Sequence, residues 1–256
     1  MQPMNERASA AQFFAPTLEI LERAFRVLEA RVDPPIRKAW KNGFVFRYED
    51  CTIHQAIVQK LARTVSGLHA VETLLDRGLF QEQGVIQRTL DEIGEDITFL
   101  SLGIVRGELT QRHKDYLDYF YAEEFSDHSD VMASHESRAM VGRDKIRAYI
   151  NQELGSDSAR ANVASKILTK AYSGFVHAAS PHVMDMYGGF LPRFDITGES
   201  RTLRGEGYAN DALNYFLRAM FSMAFASNAF GDEELFLKMR DESAKLEGKI
   251  EAHKNA

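Results

Sequence analysis

The chain has 256 residues, of which 45% are apolar and 27% charged, as in an ordinary globular protein. Its formal net charge of −6 argues against strong nonspecific binding to nucleic acid, which needs a basic field, and leaves room only for a local basic groove. A single cysteine, Cys51, excludes an intrachain disulfide and a thiolate metal cage. The first residues lack the basic region and apolar run of a secretory signal, so we expect a cytoplasmic protein.

Helical periodicity dominates the first half of the chain. Apolar residues recur at helical spacing over residues 9–32, and Asp33-Pro34-Pro35 ends that helix. The β-favouring residues of Gly43–Tyr48 predict a short strand. Two long helices are predicted over about 52–76 and 81–106, and their short connection indicates an antiparallel pair.

The second half continues the helical pattern with one interruption. Helices are predicted over about 110–125 and 137–154, around His177, from near Asn210 to Phe230, and over 233–252 after a break at Gly231. Turn signals over about 181–207 predict an irregular insert. The fold class is therefore all-α with little or no β structure. A single-domain helical bundle is expected over 1–256, with a core of about 52–230 on which helices 9–32 and 233–252 pack.

The most apolar segment, Leu213–Phe230, raises the question of a membrane span. Arg218 lies near its middle, where a charge is costly inside a bilayer. We therefore predict a helix buried among other helices and no membrane association.

A polar stripe follows the segment Lys166–His182. Read as a helix, this segment places Lys166, Lys170, Ser173 and His177 on one face, at steps of four, three and four. Histidine is the side chain best suited to proton transfer near neutral pH, so His177 is the first candidate for a catalytic acid or base. Tyr172 and His182 lie close enough in sequence to join such a site.

His177 has three interpretations. It is a helix-end histidine bonded locally to Ser173 or to a carbonyl, a structural partner of Glu72 or Glu92, or a catalytic acid or base. An isolated histidine is more often structural, and the Ser180-Pro181 step predicts a helix end that would favour the protonated imidazole.

Carboxylates on two neighbouring helices form a second candidate site. Glu72 falls on the apolar stripe of its helix, where a carboxylate needs a partner, and Arg88 on the next helix is the natural candidate. Glu92 and Asp96 are one turn apart and would repel unless a cation lies between them. A divalent metal on Glu72, Glu92 and Asp96 is one solution. A solvated face with an Arg88–Glu92 pair is the favoured alternative, and no cofactor is predicted.

Two segments carry a resemblance to known proteins. The stretch HAVETLLDRGLFQEQGVIQRTLDEIGEDITFL, followed by KAYSGFVHAASPH and an apolar helix, resembles a family of bacterial all-helical proteins of unassigned activity. The matching features are the helix with Arg88 and Glu92 and the Tyr-x-x-x-Val-His segment that ends in His177. The resemblance covers roughly residues 55–230. It implies a helical fold and no particular chemistry.

A more distant resemblance is to the HEPN superfamily of helical domains. Many HEPN proteins are metal-independent ribonucleases of toxin–antitoxin and phage-defence systems, and they usually act as dimers. The resemblance implies His177 as acid/base and Lys170 as phosphate ligand, with Ala171 in the slot of the family's polar residue. Lysine replaces the family's arginine and lacks its bidentate grip on phosphate, so a relative without catalytic activity is an equal alternative.

Three functions follow from the sequence. The first is a non-enzymatic helical binding or regulatory module, expected to form a homo-oligomer such as a dimer. The second is a HEPN-like ribonuclease built on His177, although the charge does not indicate RNA as a partner. The third is the carboxylate metal site. Whether the protein is an enzyme therefore stays open at the level of the sequence.

Overall fold

The computed structural model describes residues 10–40, 42–123, 140–155, 167, 170–188, 191–198 and 203–254. Within these residues 73% are helical and 7% lie in two small antiparallel strand pairs, which confirms the all-α fold class. A 3₁₀ turn, Ala10–Phe13, comes first. The α-helices are α1 (Phe14–Glu29), α2 (Ile53–Asp76), α3 (Phe80–Val105), α4 (Gln111–Tyr121), α5 (Arg143–Glu153), α6 (Ser180–Met184), α7 (Leu203–Ala229) and α8 (Glu233–Lys254).

Helices α2, α3 and α7 form the centre of the bundle, because each packs along the other two. Helix α1 packs on α2 and α7, α8 lies along α7, and α5 lies along α3. One apolar cluster joins buried side chains from Ala10 to Ile250. Its largest fully buried members include Leu61, Ile97 and Phe216. The N-terminal and C-terminal helices therefore share one core with the rest of the described chain.

Local signals fix the boundaries of the long helices. Thr52 caps α2 through a capping box, in which its hydroxyl accepts from the Gln55 backbone N–H and the Gln55 side chain accepts from the Thr52 N–H. Helix α2 ends before Gly78, whose φ of +66° suits glycine. The predictions of 52–76 and 81–106 agree with the observed bounds to within a residue or two.

The predicted strand forms half of a β-hairpin. Strand β2 (Gly43–Arg47) pairs antiparallel with β1 (Ile36–Trp40), and the register joins Ile36 to Arg47. The sequence did not predict β1, because Arg37 and Lys38 interrupt its apolar pattern. A second, shorter hairpin joins β3 (Tyr187–Gly188) to β4 (Arg193–Phe194).

The irregular insert predicted over 181–207 is longer than the observed one, because helices occupy both of its ends. The short helix α6 begins at Ser180, with Pro181 in its first turn. Helix α7 begins at Leu203, well before the predicted start near Asn210. Its early turns are held by tertiary contacts, since the Tyr208 ring stacks on Phe80 at 4.4 Å and Gln83 donates to the Tyr208 carbonyl at 3.2 Å.

Helix α5 begins later than predicted. Its first residue is Arg143, and Gly142 before it is extended and acts as the N-cap. Residues 137–139 of the helix predicted over 137–154 lie outside the described residues. None of the helices that the structure describes is both long and apolar enough to cross a membrane.

Candidate functional site

Four carboxylates lie on one turn and a half of α3, and each is paired with a cation. Arg88 and Glu92 pair within α3 at 2.6 Å. The other three take cations from other helices: Arg218 on Asp91, Arg147 on Glu95 at 2.7 Å, and Lys60 and Arg143 on Asp96 at 2.7 and 2.6 Å. Basic side chains from α2, α5 and α7 therefore offset the repulsion between carboxylates that the spacing predicted.

Asp96 is the most buried of these carboxylates, with 2% of its side chain exposed. Arg143 also donates to the Glu92 carbonyl at 3.1 Å, so it links α5 to α3 through two acceptors. Burial, and then the nearby Asp96 carboxylate, raise the pKa of Tyr116, which stays protonated. Asp96 thus joins α2, α3 and α5, and its surroundings are those of a structural ion pair.

A cavity of about 340 Å³ lies between α2, α3, α5 and α7. Most of its wall is apolar, formed by Leu90, Ile150, Leu154, Ala219, Phe221 and Phe225. Gly94 adds no side chain to the wall, so the cavity reaches the backbone of α3 there. A partly open, mostly apolar pocket of this size is typical of a small-molecule site.

One side of the cavity is polar. Asp91 and Glu95, one helical turn apart, reach it together with Tyr215, Arg218 and Arg147. Burial raises the pKa of both carboxyl groups, although their arginine partners act in the opposite direction. The Tyr215 hydroxyl donates to Asp91 at 3.1 Å.

Glu95 has one unused oxygen. Its Oε1 accepts from Arg147 Nε at 2.7 Å, whereas the buried Oε2 accepts no hydrogen bond from any residue that the structure describes. Arg143 Nη1 lies 3.7 Å away, too far for a hydrogen bond. A buried oxygen without a donor costs free energy, so a ligand donor that reached this atom would be stabilising.

Tyr172 lies behind the polar side of the cavity. It belongs to a helical segment, residues 170–176, and its ring meets the Tyr215 ring edge-on at 5.8 Å. A hydrogen bond links the two hydroxyls, and burial raises the pKa of Tyr172. Phe175 of the same segment lies against Gly84 of α3, where a Cβ atom would overlap its ring. Tyr172 therefore touches the cavity through Tyr215.

His177 is exposed and lies at an open cleft of about 550 Å³ beside the helical segment 170–176. Lys170, Ser173 and His182 line the same cleft, as does Arg147 from α5. The stripe read from the sequence therefore faces a common space, except for Lys166, which lies outside the described residues. Arg147 lines both the cleft and the cavity, so the two spaces share one wall.

The local contacts of the two histidines differ. The His177 backbone N–H donates to the Ser173 carbonyl at 3.1 Å, and the chain then turns at Ala178, whose φ is +48°. His182 Nε2 lies 3.0 Å from the Ala171 carbonyl, and its ring contacts Phe175 edge-on at 4.4 Å. His182 thus fastens α6 to the preceding segment, whereas the His177 ring faces solvent.

The structure separates the residues of the proposed metal site. Glu72 is half-buried on α2, Glu92 is held by Arg88, and Asp96 is enclosed by Lys60 and Arg143. The predicted Glu72–Arg88 pair is wrong, because Arg88 pairs with Glu92 on its own helix. Among the described residues no three His, Cys, Asp or Glu side chains lie close enough to hold a metal ion.

Sequence reasoning missed several residues of this region. Arg143 and Arg147 are spaced i, i+4 on α5, opposite the acidic turns of α3, and this matched spacing was the available signal. Lys60 and Tyr215 gave no signal, because nothing in the sequence around either residue connects it with the acidic turns of α3. No family model, curated protein or solved structure matches the chain. The geometry of the cavity and the cleft is therefore the basis for any assignment.

Proposed function

We propose that the chain is a non-enzymatic helical binding protein whose ligand occupies the cavity between α2, α3, α5 and α7. The ligand is a small molecule with an apolar body and one hydrogen-bond donor, such as a hydroxyl or amide N–H. The volume of about 340 Å³ and the apolar wall support an apolar body.

The single observation that carries the donor is that Glu95, whose Oε2 has no hydrogen-bond donor among the described residues, is one of the residues that line the cavity. The nearby charges are matched, because Arg147 pairs with Glu95 and Arg218 with Asp91. A charged ligand would upset that balance, so a neutral donor is favoured over an ammonium group.

A pair of probes that differ only in the donor tests this proposal. The probe 2-naphthol has a hydroxyl, and 2-methoxynaphthalene has the same ring system without a donor. We expect 2-naphthol to bind about tenfold more tightly at mildly basic pH, where Glu95 is ionised, because a hydrogen bond to a charged acceptor is worth about 1.5–3 kcal/mol. Ligand-observed NMR titration measures both affinities. Equal affinities would contradict the assigned donor.

Two glycine variants test the location. Gly94→Leu places an isobutyl group in the cavity and should abolish binding of both probes. Gly248→Leu on α8 is the matched control, since nothing lies within 4 Å of a Cβ atom there. If Gly94→Leu binds the probes like Gly248→Leu, the ligand does not occupy this cavity.

A second candidate function is a metal-independent ribonuclease at the cleft beside His177. It is favoured by the approach of Lys170, His182 and Arg147 to the exposed His177. An arginine from α5 would add the guanidinium that the HEPN-like motif lacks, although Glu95 engages this side chain. RNA cleavage in EDTA by the wild type and by His177→Ala is the test. Equal or absent cleavage counts against the ribonuclease.

A further inference from the structure

The β1–β2 hairpin concentrates basic and aromatic side chains in an acidic protein. Residues 36–48, IRKAWKNGFVFRY, include four basic residues and no acidic one, whereas the whole chain carries a net charge of −6. None of the hairpin residues that the structure describes is buried. This element therefore adds nothing to the apolar core and is available for contact with other molecules.

One face of the hairpin is an exposed aromatic surface. The register pairs Arg37 with Phe46 and Ala39 with Phe44, so these four side chains share a face. Phe44 is 45% and Phe46 57% exposed, and their rings meet edge-on at 5.4 Å. The Arg37 guanidinium lies 3.5 Å from the Phe44 ring centroid. Two rings and a cation thus form one continuous surface.

The opposite face anchors the hairpin. Arg47 donates to both oxygens of Glu123, just after α4, at 2.6 and 3.0 Å. Trp40 and Val45 lie on this face and are half-buried. Lys38 pairs with Val45 in the register, so it also lies on this face. Among the described hairpin residues, Arg37 is therefore the cation of the aromatic face, and it has no carboxylate partner among the residues that the structure describes.

We infer that this aromatic face binds single-stranded nucleic acid, with bases stacked on Phe46 and Phe44 and a phosphate beside Arg37. Charge complementarity favours a polyanion, since the hairpin is basic while the rest of the chain is acidic. The exposed rings favour a polyanion with free base faces over a closed duplex, because stacking needs unpaired bases. This binding is independent of the cavity and its ligand.

The test is fluorescence anisotropy with labelled oligouridine and oligothymidine, at low and at physiological salt. We expect saturable binding to the wild type. Phe46→Leu keeps an apolar side chain but removes the stacking ring, and it should weaken binding about tenfold. Arg37→Gln should reduce the slope of log affinity against log salt by about 0.7, as for one lost phosphate contact.

The second hairpin supplies the matched control. Phe194 of β4 is 46% exposed and meets Tyr187 edge-on at 5.0 Å, so Phe194→Leu removes an equally exposed ring from a similar aromatic pair. It should leave oligonucleotide affinity unchanged. Far-UV circular dichroism of Phe46→Leu should match the wild type, because the hairpin lies outside the core.

Several results would overturn the inference. These are no binding at low salt, equal losses in Phe46→Leu and Phe194→Leu, or an unchanged salt slope in Arg37→Gln. Two other outcomes assign the face to a different partner. One is that the wild type binds no oligonucleotide and sediments as a dimer, whereas Phe46→Leu sediments as a monomer. The other is binding only to vesicles of anionic lipid.

Discussion

Asp96→Asn tests whether the buried carboxylate on α3 holds three helices together. Asparagine keeps the shape of the side chain but removes the negative partner that lies 2.7 Å from Lys60 and 2.6 Å from Arg143, and it leaves Arg143 only the more distant Glu95 carboxylate at 3.7 Å. The Asp96 side chain is only 2% exposed, so water cannot reach that position to solvate the two cations in place of the carboxylate.

The expected loss can be estimated from the exposure of the two cations. Breaking a buried ion pair by removing one partner costs about 3–5 kcal/mol in free energy of unfolding. Lys60 is 18% and Arg143 24% exposed, so water can still solvate part of each cation. We therefore expect the lower end, about 3 kcal/mol.

Urea denaturation followed by circular dichroism measures the free energy of unfolding. Glu92→Gln is the comparison one turn away on α3, because Glu92 is 39% exposed and its carboxylate pairs with Arg88 of its own helix. That variant should lose less free energy of unfolding than Asp96→Asn, because water reaches the Glu92 side chain and the variant disturbs one cation instead of two. The reasoning fails if Asp96→Asn loses less than about 1 kcal/mol, well below the range for a broken buried pair.

Three further predictions rest on other contacts. His113 is fully buried with Nε2 donating to the Phe99 carbonyl at 3.1 Å, and burial lowers its pKa. The wild type should therefore lose stability as pH falls below about 6.5 towards the folded-state pKa. His113→Gln should lack this loss in pH-dependent urea denaturation, and identical pH profiles would exclude the effect. Gly94→Ala should raise the free energy of unfolding by about 1 kcal/mol, since its Cβ meets nothing closer than 3.5 Å. Gly103→Ala should lower it by about 1–3 kcal/mol, because the Cβ would lie 2.6 Å from His113 Nε2. The reverse order of melting temperatures would refute the packing at both sites. Tyr215→Phe removes the donor to Asp91 and should cost about 1.5–3 kcal/mol by thermal or urea unfolding. A neutral result would mean that water or Arg218 replaces the hydroxyl.

The candidate site was predictable only in part. The spacing of Lys170, Ser173 and His177 correctly placed them on a common cleft, because side chains three and four apart share a helix face. Glu72 and Arg88 were paired wrongly, since each lies on a separate helix and the rotation of one helix against the other is not encoded in either periodicity. For the same reason, the sequence did not predict the contact between Arg147 on α5 and Glu95 on α3.

The cavity lies beyond sequence reasoning for a related reason. Its wall takes residues from α2, α3, α5 and α7, and each apolar residue among them looks like an ordinary core position in its own helix. A void forms only when the side chains of four helices fail to fill the space between them. Among the described residues of the wall, only Gly94 could have suggested a space from the sequence, because glycine has no side chain.

The sequence alone determined the helical fold and the approximate course of its long helices. Helical periodicity, the cap at Thr52 and the break at Gly78 are local properties, so they can be read from neighbouring residues. Tertiary structure alone decided which cation pairs with which carboxylate on α3 and where α7 begins. It also decided that a cavity lies between α2, α3, α5 and α7. Those outcomes depend on contacts between residues far apart in the chain, such as Tyr208 with Phe80 and Arg143 with Asp96. Periodicity shows that a face is buried but does not name the residues that cover it.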